Sequence, residues 1–210
     1  MGKIIYLGHA SFLLESKNYK VVTDPYYDDP ELNWHFPRPI TANDVFCSHN
    51  HEDHNASEYV TIEPTDVEID FEQAIVPHDH HGGAKRGMNV ITMFDIDGYK
   101  VVHMGDTGCV PNEKDIEKFK NCDVLLAPIN GYFTINPKEL KEICEIIKPR
   151  IVVPMHYYMK EYKFGFQDGN MIEEFKKLFP NHQYLESEVL DLDQYKNYRG
   201  ALIFKKYRQN

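Results

Sequence analysis

Hydrophobic positions in the first half of this chain fall in short runs of four or five residues, the length and spacing of strands. Lys3 to Leu7, Ser11 to Glu15 and Lys20 to Thr23 read this way, with Ser16-Lys17-Asn18 as a turn. Asp24 to Asn43 breaks the pattern with four prolines and a tryptophan and reads as a surface loop. Asp44 to Ser48 is another apolar strand. Ala74 to Pro77 and Val90 to Ile96 follow as strands, separated by the glycine-rich stretch from Gly82 to Gly87. Asp97-Gly98 is a hairpin signal that leads into a strand from Tyr99 to Met104.

The second half alternates periods. Pro111 to Lys120 is charged and reads as a helix, and Asp123 to Ile129 as a buried strand. Asn136-Pro137 supplies a cap and a first-turn proline, and Leu140, Ile143, Cys144 and Ile147 share one helical face. Pro149 ends that helix, and Arg150 to Met155 is a strand. Gly169 to Phe179 is a second amphipathic helix, and Ala201 to Phe204 a last strand; Glu186 to Tyr198 reads as a polar surface arm or subunit contact. Strands first, then strand and helix alternating, predict an α/β chain of two packed sheets with helices outside, and residues 1–210 are expected to form one domain.

Composition narrows the partners. With 23 Lys and Arg against 33 Asp and Glu, the net charge of −10 argues against binding long nucleic acids, which requires neutralising phosphates. No apolar run approaches the roughly 20 residues that span a bilayer, so no membrane partner is expected. The opening Met1 to Leu7 is too short for a signal peptide, and His9, Glu15 and Lys17 follow without a cleavage site. The expectation is a cytoplasmic chain whose four cysteines, Cys47, Cys109, Cys122 and Cys144, are free buried thiols.

The eleven histidines are unevenly spread. In His49-Asn50-His51-Glu52-Asp53-His54, residues two apart on extended backbone point the same way, so His49 and His51 can grip one ion. Adjacent Asp53 and His54 diverge and can face a second position. The bland alternative is a solvated polar loop, but an apolar strand feeds directly into the cluster. Further donors follow strand-like segments: His78 with Asp79, His80 and His81 after Pro77, Asp106 within Gly105 to Gly108, and His156 after Met155. Asp24 is either an acceptor for a metal-bound histidine or a plain strand-end turn. His9 is either a substrate contact or a buried, hydrogen-bonded imidazole. Lys85 and Arg86 are either surface ion pairs or partners for an anionic substrate group, and the aromatic loop Tyr26-Tyr27…Trp34-His35-Phe36 either walls a pocket or packs on the core.

His49-x-His51-x-Asp53-His54 resembles the H-x-H-x-D-H motif of the metallo-β-lactamase superfamily, and Gly105-Asp106-Thr107-Gly108 and Pro154-Met155-His156-Tyr157 follow in the matching order. Gly8-His9-Ala10-Ser11-Phe12, Asp24-Pro25 and the stretch from Pro77 to Asn89 resemble, more narrowly, a compact group of metal-dependent hydrolases related to ascorbate-6-phosphate lactonases. The resemblance runs over residues 3 to 160 and implies a four-layer αββα sandwich. It also implies two divalent metal ions, zinc by default with manganese or iron as competitors. On this reading His49, His51 and His78 hold one ion, Asp53, His54 and His156 the other, and Asp106 bridges; His80 and His81 compete with His78. A hydroxide shared by the ions would attack a small ester, lactone or phosphoester, with Asp53 steering its proton and His9 at the reacting centre. A phosphodiesterase or nuclease of the same fold, a di-iron redox protein and a non-catalytic metal-binding module are the alternatives. Substrate identity and any homo-oligomer are left open.

Overall fold

The computed structural model describes residues 2–209. The first strands are β1 (Lys3–Gly8), β2 (Ser11–Glu15), β3 (Lys20–Thr23), β4 (Ile40–Ala42), β5 (Asp44–Phe46) and β6 (Val60–Ile62). β7 (Phe71–Pro77), β8 (Met88–Ile96) and β9 (Tyr99–His103) come next, then helix α1 (Glu113–Ile116) and β10 (Val124–Pro128). Helix α2 (Pro137–Ile147), β11 (Ile151–Met155), helix α3 (Met171–Leu178), β12 (His182–Leu185), β13 (Val189–Asp191) and β14 (Gly200–Phe204) complete the order.

One sheet has the order β13-β1-β2-β3-β5, the other β12-β14-β11-β10-β9-β8-β7, and β4 pairs with β6 apart from both. The two large sheets meet through aromatic side chains. Tyr6 and Phe12 of the first meet Phe204 of the second at centroid distances of 5.2 and 6.4 Å, and Phe46 meets Phe94 at 5.0 Å. β10 and β11 are buried at every position, as expected for central parallel strands covered on both faces. Among the described residues the three α-helices lie in connections between strands of the seven-stranded sheet. The α/β sandwich is the expected architecture.

Local chemistry explains several elements. Asn136 accepts N–H bonds from Lys138 and Glu139, the Glu139 carboxylate accepts the Asn136 N–H, and Pro137 opens α2: a complete capping box. Asp97 and Gly98 both take left-handed backbone (φ 53° and 84°) and close the β8–β9 hairpin.

Strand direction places the site. β1, β3 and β5 run the same way, because β2 is antiparallel to β1 and β3, and β5 is parallel to β3. β7 and β9 agree likewise through antiparallel β8, and β10 and β11 run parallel to β9. The C-terminal ends of β1, β3 and β5 therefore share one edge of the first sheet. Those of β7, β9 and β11 share one edge of the second.

The structure departs from the pattern-based reading in several places, among them β6 and β12, which lie where no strand was expected. The expected loop from Asp24 to Asn43 contains β4, which the proline-rich surroundings disguised. The expected helix over 111–120 is a single α turn followed by a 3₁₀ turn at Glu117–Phe119, because only Ile116 and Phe119 bury an apolar side chain there. The polar arm from Glu186 to Tyr198 contributes β13, which closes the first sheet against β1 and buries Leu190; three residues are too few to show a period. The cysteines are free, but Cys47 is exposed and only Cys122 is fully buried. Among the described residues no helix is long and apolar enough to cross a membrane.

Candidate metal centre

The end of β3 is knitted to the segment after β5 by one carboxylate. Asp24, fully buried and in left-handed backbone (φ 45°), accepts the Ser48 N–H and the Ser48 hydroxyl, each at 2.6 Å. It also accepts the His54 Nδ1–H at 2.8 Å. Because the Ser48 hydroxyl donates to Asp24, its lone pair can receive the His49 Nδ1–H, 3.0 Å away. Both imidazoles are thereby turned so that Nε2 faces inward. Asp24 is thus the hydrogen-bond acceptor of an imidazole, and more than a plain strand-end turn.

The loop after β9 is positioned as closely. Asn89 donates to the Met104 carbonyl and accepts the Asp106 N–H, both at 2.8 Å, and Thr107 donates to the same carbonyl at 2.7 Å. Gly108 lies so near the end of β7 that a Cβ there would sit 2.1 Å from the His78 carbonyl carbon. A side chain at that position is excluded, and this brings the Asp106 loop against His78. At the other side of the site His9 and His156 both adopt left-handed backbone (φ 54° and 52°), and the His156 N–H donates to the His9 carbonyl at 3.0 Å. Non-glycine residues in this region carry a cost that the surrounding packing must offset, and such residues cluster at functional sites.

Side chains from positions 9 to 156 converge. The ligand-type atoms of His49, His51 and His78 lie within 4.8 Å of one another; so do those of His9, Asp53, His54 and His156, and those of His49, His54 and Asp106. Asp106 Oδ2 stands between the groups, 3.2 Å from His54 Nε2, 3.1 Å from His156 Nε2 and 3.6 Å from His78 Nε2. Asp53 Oδ2 is 3.4 Å from both His9 Nε2 and His54 Nε2, and 4.0 Å from His156 Nε2. His54 thus touches both groups rather than one. His80 does not join: it is exposed and pairs with Glu139 at 2.6 Å, and His81 is exposed as well. His103 is buried but occupied, with one ring nitrogen on the Ala10 carbonyl and the other on the Gly105 N–H.

The polar atoms facing this centre lack partners. His9 Nε2, His49 Nε2, His54 Nε2, His156 Nε2 and Asp106 Oδ1 are buried without a hydrogen bond. Leaving such groups unmet costs roughly 1–3 kcal/mol each, so their concentration at one point marks a place built for a cation. Burial, helped by neighbouring imidazoles, lowers His9 to about 4 and His49 to about 3, and burial also lowers His78. Burial alone would lower His54 too, but Asp106, Asp53 and Asp24 hold it well above the ordinary imidazole value. Asp106, despite burial, is held far below the carboxylate range by His156 and His54. The thiols of Cys122 and Cys144 are pushed up to about 12 by burial and are no rivals as ligands.

A cavity of about 910 Å³ opens onto the centre, lined by His51, Asp53, His78, Asp106, Trp34 and Arg86, among others. The aromatic loop divides: Tyr27 and Trp34 face the cavity, while Tyr26 and Phe36 pack in the core. Arg86 lines the cavity and Lys85 does not; Tyr157 is buried elsewhere, with its hydroxyl toward the Phe204 carbonyl. Ser48, Asn89, Phe133 and Phe166 escaped the sequence reading as site residues. Asn89 entered that reading only as the last residue of the stretch from Pro77 that carries the family resemblance.

An α/β sandwich with a buried histidine–aspartate cluster at the strand ends defines a class of metal-binding proteins, and comparison with known proteins specifies which. A description of the beta-lactamase superfamily domain matches residues 3–156. A metal-dependent hydrolase of the UPF0173 group from Carboxydothermus hydrogenoformans is 27% identical over 190 residues, covering 74% of this chain and 84% of that one. A Thermotoga maritima protein, named for zinc-dependent hydrolysis and the metallo-β-lactamase superfamily, is 30% identical. It superposes with a TM-score of 0.70 over 97% of this chain and 98% of its own. An isothiocyanate hydrolase from Delia radicum gut bacteria shares the fold alone, with a TM-score of 0.65 at 12% identity over 96% of this chain and 95% of its own. The chain belongs to the metallo-β-lactamase superfamily and to its group of metal-dependent hydrolases. The narrower likeness to ascorbate-6-phosphate lactonases rests on the sequence motifs.

Proposed function

We propose that the chain, acting as one domain, hydrolyses a small ester, lactone or phosphoester at a centre of two divalent metal ions. One observation carries the reading: buried imidazole and carboxylate atoms, left without hydrogen bonds in the protein, converge from the ends of several strands beneath a cavity. The donor set of nitrogen and oxygen without thiolate fits zinc by default, with manganese and iron as competitors. His49, His51 and His78 would hold one ion and Asp53, His54 and His156 the other, with the Asp106 carboxylate between them. When bound, the ions would supply Lewis acidity and a water acidified to a pKa of about 7.

The protein's own groups supply the rest. Asp24 fixes the tautomer of His54, and Ser48 that of His49, so that their Nε2 atoms are free to bind. Asp53, open to the cavity and facing His9, would steer the proton of the attacking water. His9, neutral near pH 7 because burial lowers it to about 4, can donate a hydrogen bond to a reacting oxygen. Trp34 packs against His9, with ring centroids 4.5 Å apart and 47° between the ring planes, and limits how the imidazole can turn.

Elemental analysis of the purified protein should find two metal equivalents, and metal-loaded protein should turn over at least one class in a panel of esters, lactones and phosphoesters. His51→Ala should abolish turnover while circular dichroism stays unchanged. Activity that persists in verified metal-free protein would overturn the reading.

A further inference from the structure

Hydrolysis at the histidine cluster leaves one charged group of the cavity unused. Arg86 is the only arginine or lysine among the described residues lining it, and no carboxylate among those residues is ion-paired with it. Its guanidinium carbon lies 4.4 Å from the ring centroid of Phe133. The loop that carries it is closed by Asp79. One carboxylate oxygen accepts the N–H groups of His81 and Gly83, the other those of Lys85 and Arg86, at 2.7–3.0 Å. Four donors on one carboxylate make this loop a fixed mount rather than a free arm.

Aromatic rings continue from that mount into the site. Phe133 meets Phe166 at 4.8 Å, and Phe166 meets Trp34 at 5.2 Å. Phe166 also lies 6.3 Å from His156 with only 18° between ring planes. Arg86 stands at one end of an aromatic strip whose other end is an imidazole of the proposed metal centre.

We propose that Arg86 is an anion-recognition site, and that the substrate is a small ester or lactone with an apolar body and one anionic group remote from the bond cleaved. This deepens the hydrolase reading and rests on it. The guanidinium is permanently charged, and stacking on Phe133 uses its face while leaving its in-plane N–H groups free for the two oxygens of a carboxylate or phosphate. Phe133 and Phe166 offer the apolar surface that holds the body of such a molecule. The rim also limits charge. Glu31 and Glu52 are exposed carboxylates on the same cavity, so a second or third negative group would meet repulsion where the first meets Arg86.

Binding and turnover measured side by side test the proposal. Phenylacetate and its neutral analogue phenylacetamide are titrated by calorimetry into metal-loaded wild type, Arg86→Gln and Arg86→Lys at fixed ionic strength. In parallel, kcat and KM are measured for the mono-4-nitrophenyl ester of glutaric acid, which is anionic, and for 4-nitrophenyl butyrate, which is neutral. Arg86→Gln should weaken phenylacetate roughly tenfold or more, leave phenylacetamide unchanged and raise KM for the anionic ester alone; Arg86→Lys should recover part of the loss. No phenylacetate binding by wild type, equal binding by Arg86→Gln, or an equal loss for phenylacetamide would overturn it. Arg86-dependent binding without turnover of any ester, lactone or phosphoester would remove the hydrolase reading alone. Turnover with Arg86-independent binding would remove this site alone.

Discussion

Asp24→Asn changes one atom and should disable metal binding through His54. In the native protein one carboxylate oxygen accepts the Ser48 N–H, and the other accepts the Ser48 hydroxyl and the His54 Nδ1–H. An asparagine has one acceptor oxygen and one NH₂ donor. If the NH₂ takes the first place, it points at a backbone N–H that cannot turn away. If it takes the second, the His54 Nδ1–H loses its acceptor, and a His54 that gives up one proton to bind metal keeps the other on Nε2, the atom that faces the centre. Either arrangement forfeits a hydrogen bond to a charged group, worth roughly 1.5–3 kcal/mol, in a site where Asp24 and His54 are both fully buried. Loss of such an orienting partner lowers metal affinity roughly 10–100-fold. Thermal unfolding of the metal-free protein reads the first effect, and competition for zinc against a chromophoric chelator reads the second. Unchanged zinc affinity in a variant of unchanged stability would refute the argument that Asp24 sets the tautomer of His54.

Two further outcomes follow from the same geometry. His78→Ala should remove about one metal equivalent, as one ion loses a ligand, whereas His80→Ala, whose imidazole is exposed and paired with Glu139, should leave metal content unchanged; elemental analysis of both variants decides. Zinc binding should tighten as pH rises and should release a proton near pH 7, because His54 in the metal-free protein is held protonated by Asp106, Asp53 and Asp24. The same raised value means that His54 adds stability to the metal-free protein below its ordinary value of 6.5, lost as pH climbs through the raised one. His9 and His49, lowered to about 4 and about 3, act oppositely, costing stability as pH falls from 6.5 toward those values. Calorimetry in buffers of different ionisation enthalpy measures the released proton, and none released would contradict the charge state assigned to His54.

Much of the centre was legible from the chain because it is local. His49, His51, Asp53 and His54 fall within six consecutive positions after an apolar strand, so the chain itself keeps them close, although the backbone from Ser48 to His51 is bent rather than extended as the pattern implied. The strand-end positions of His78, Asp106 and His156 were legible as well, since apolar runs stop just before each. The capping box at Asn136 and the Asp97-Gly98 turn depend on neighbours in sequence and were read directly.

What depends on distance along the chain was not legible. Nothing in Pro77-His78-Asp79-His80-His81 says which imidazole turns inward. The close approach of Gly108 settles the path of the backbone at His78, and Asp79 turns its carboxylate to the following N–H groups. Asp24 and Ser48 are 24 residues apart and Asn89 and Asp106 are 17 apart, so their hydrogen bonds exist only once sheets have formed. β13 pairs with β1 from the far end of the chain, and three residues carry no period to announce it. Periodicity and short motifs determine which side chains this chain can bring to a strand end. The packing of two sheets determines which of them meet, because a contact between distant segments is a property of their shared surface and of neither segment alone.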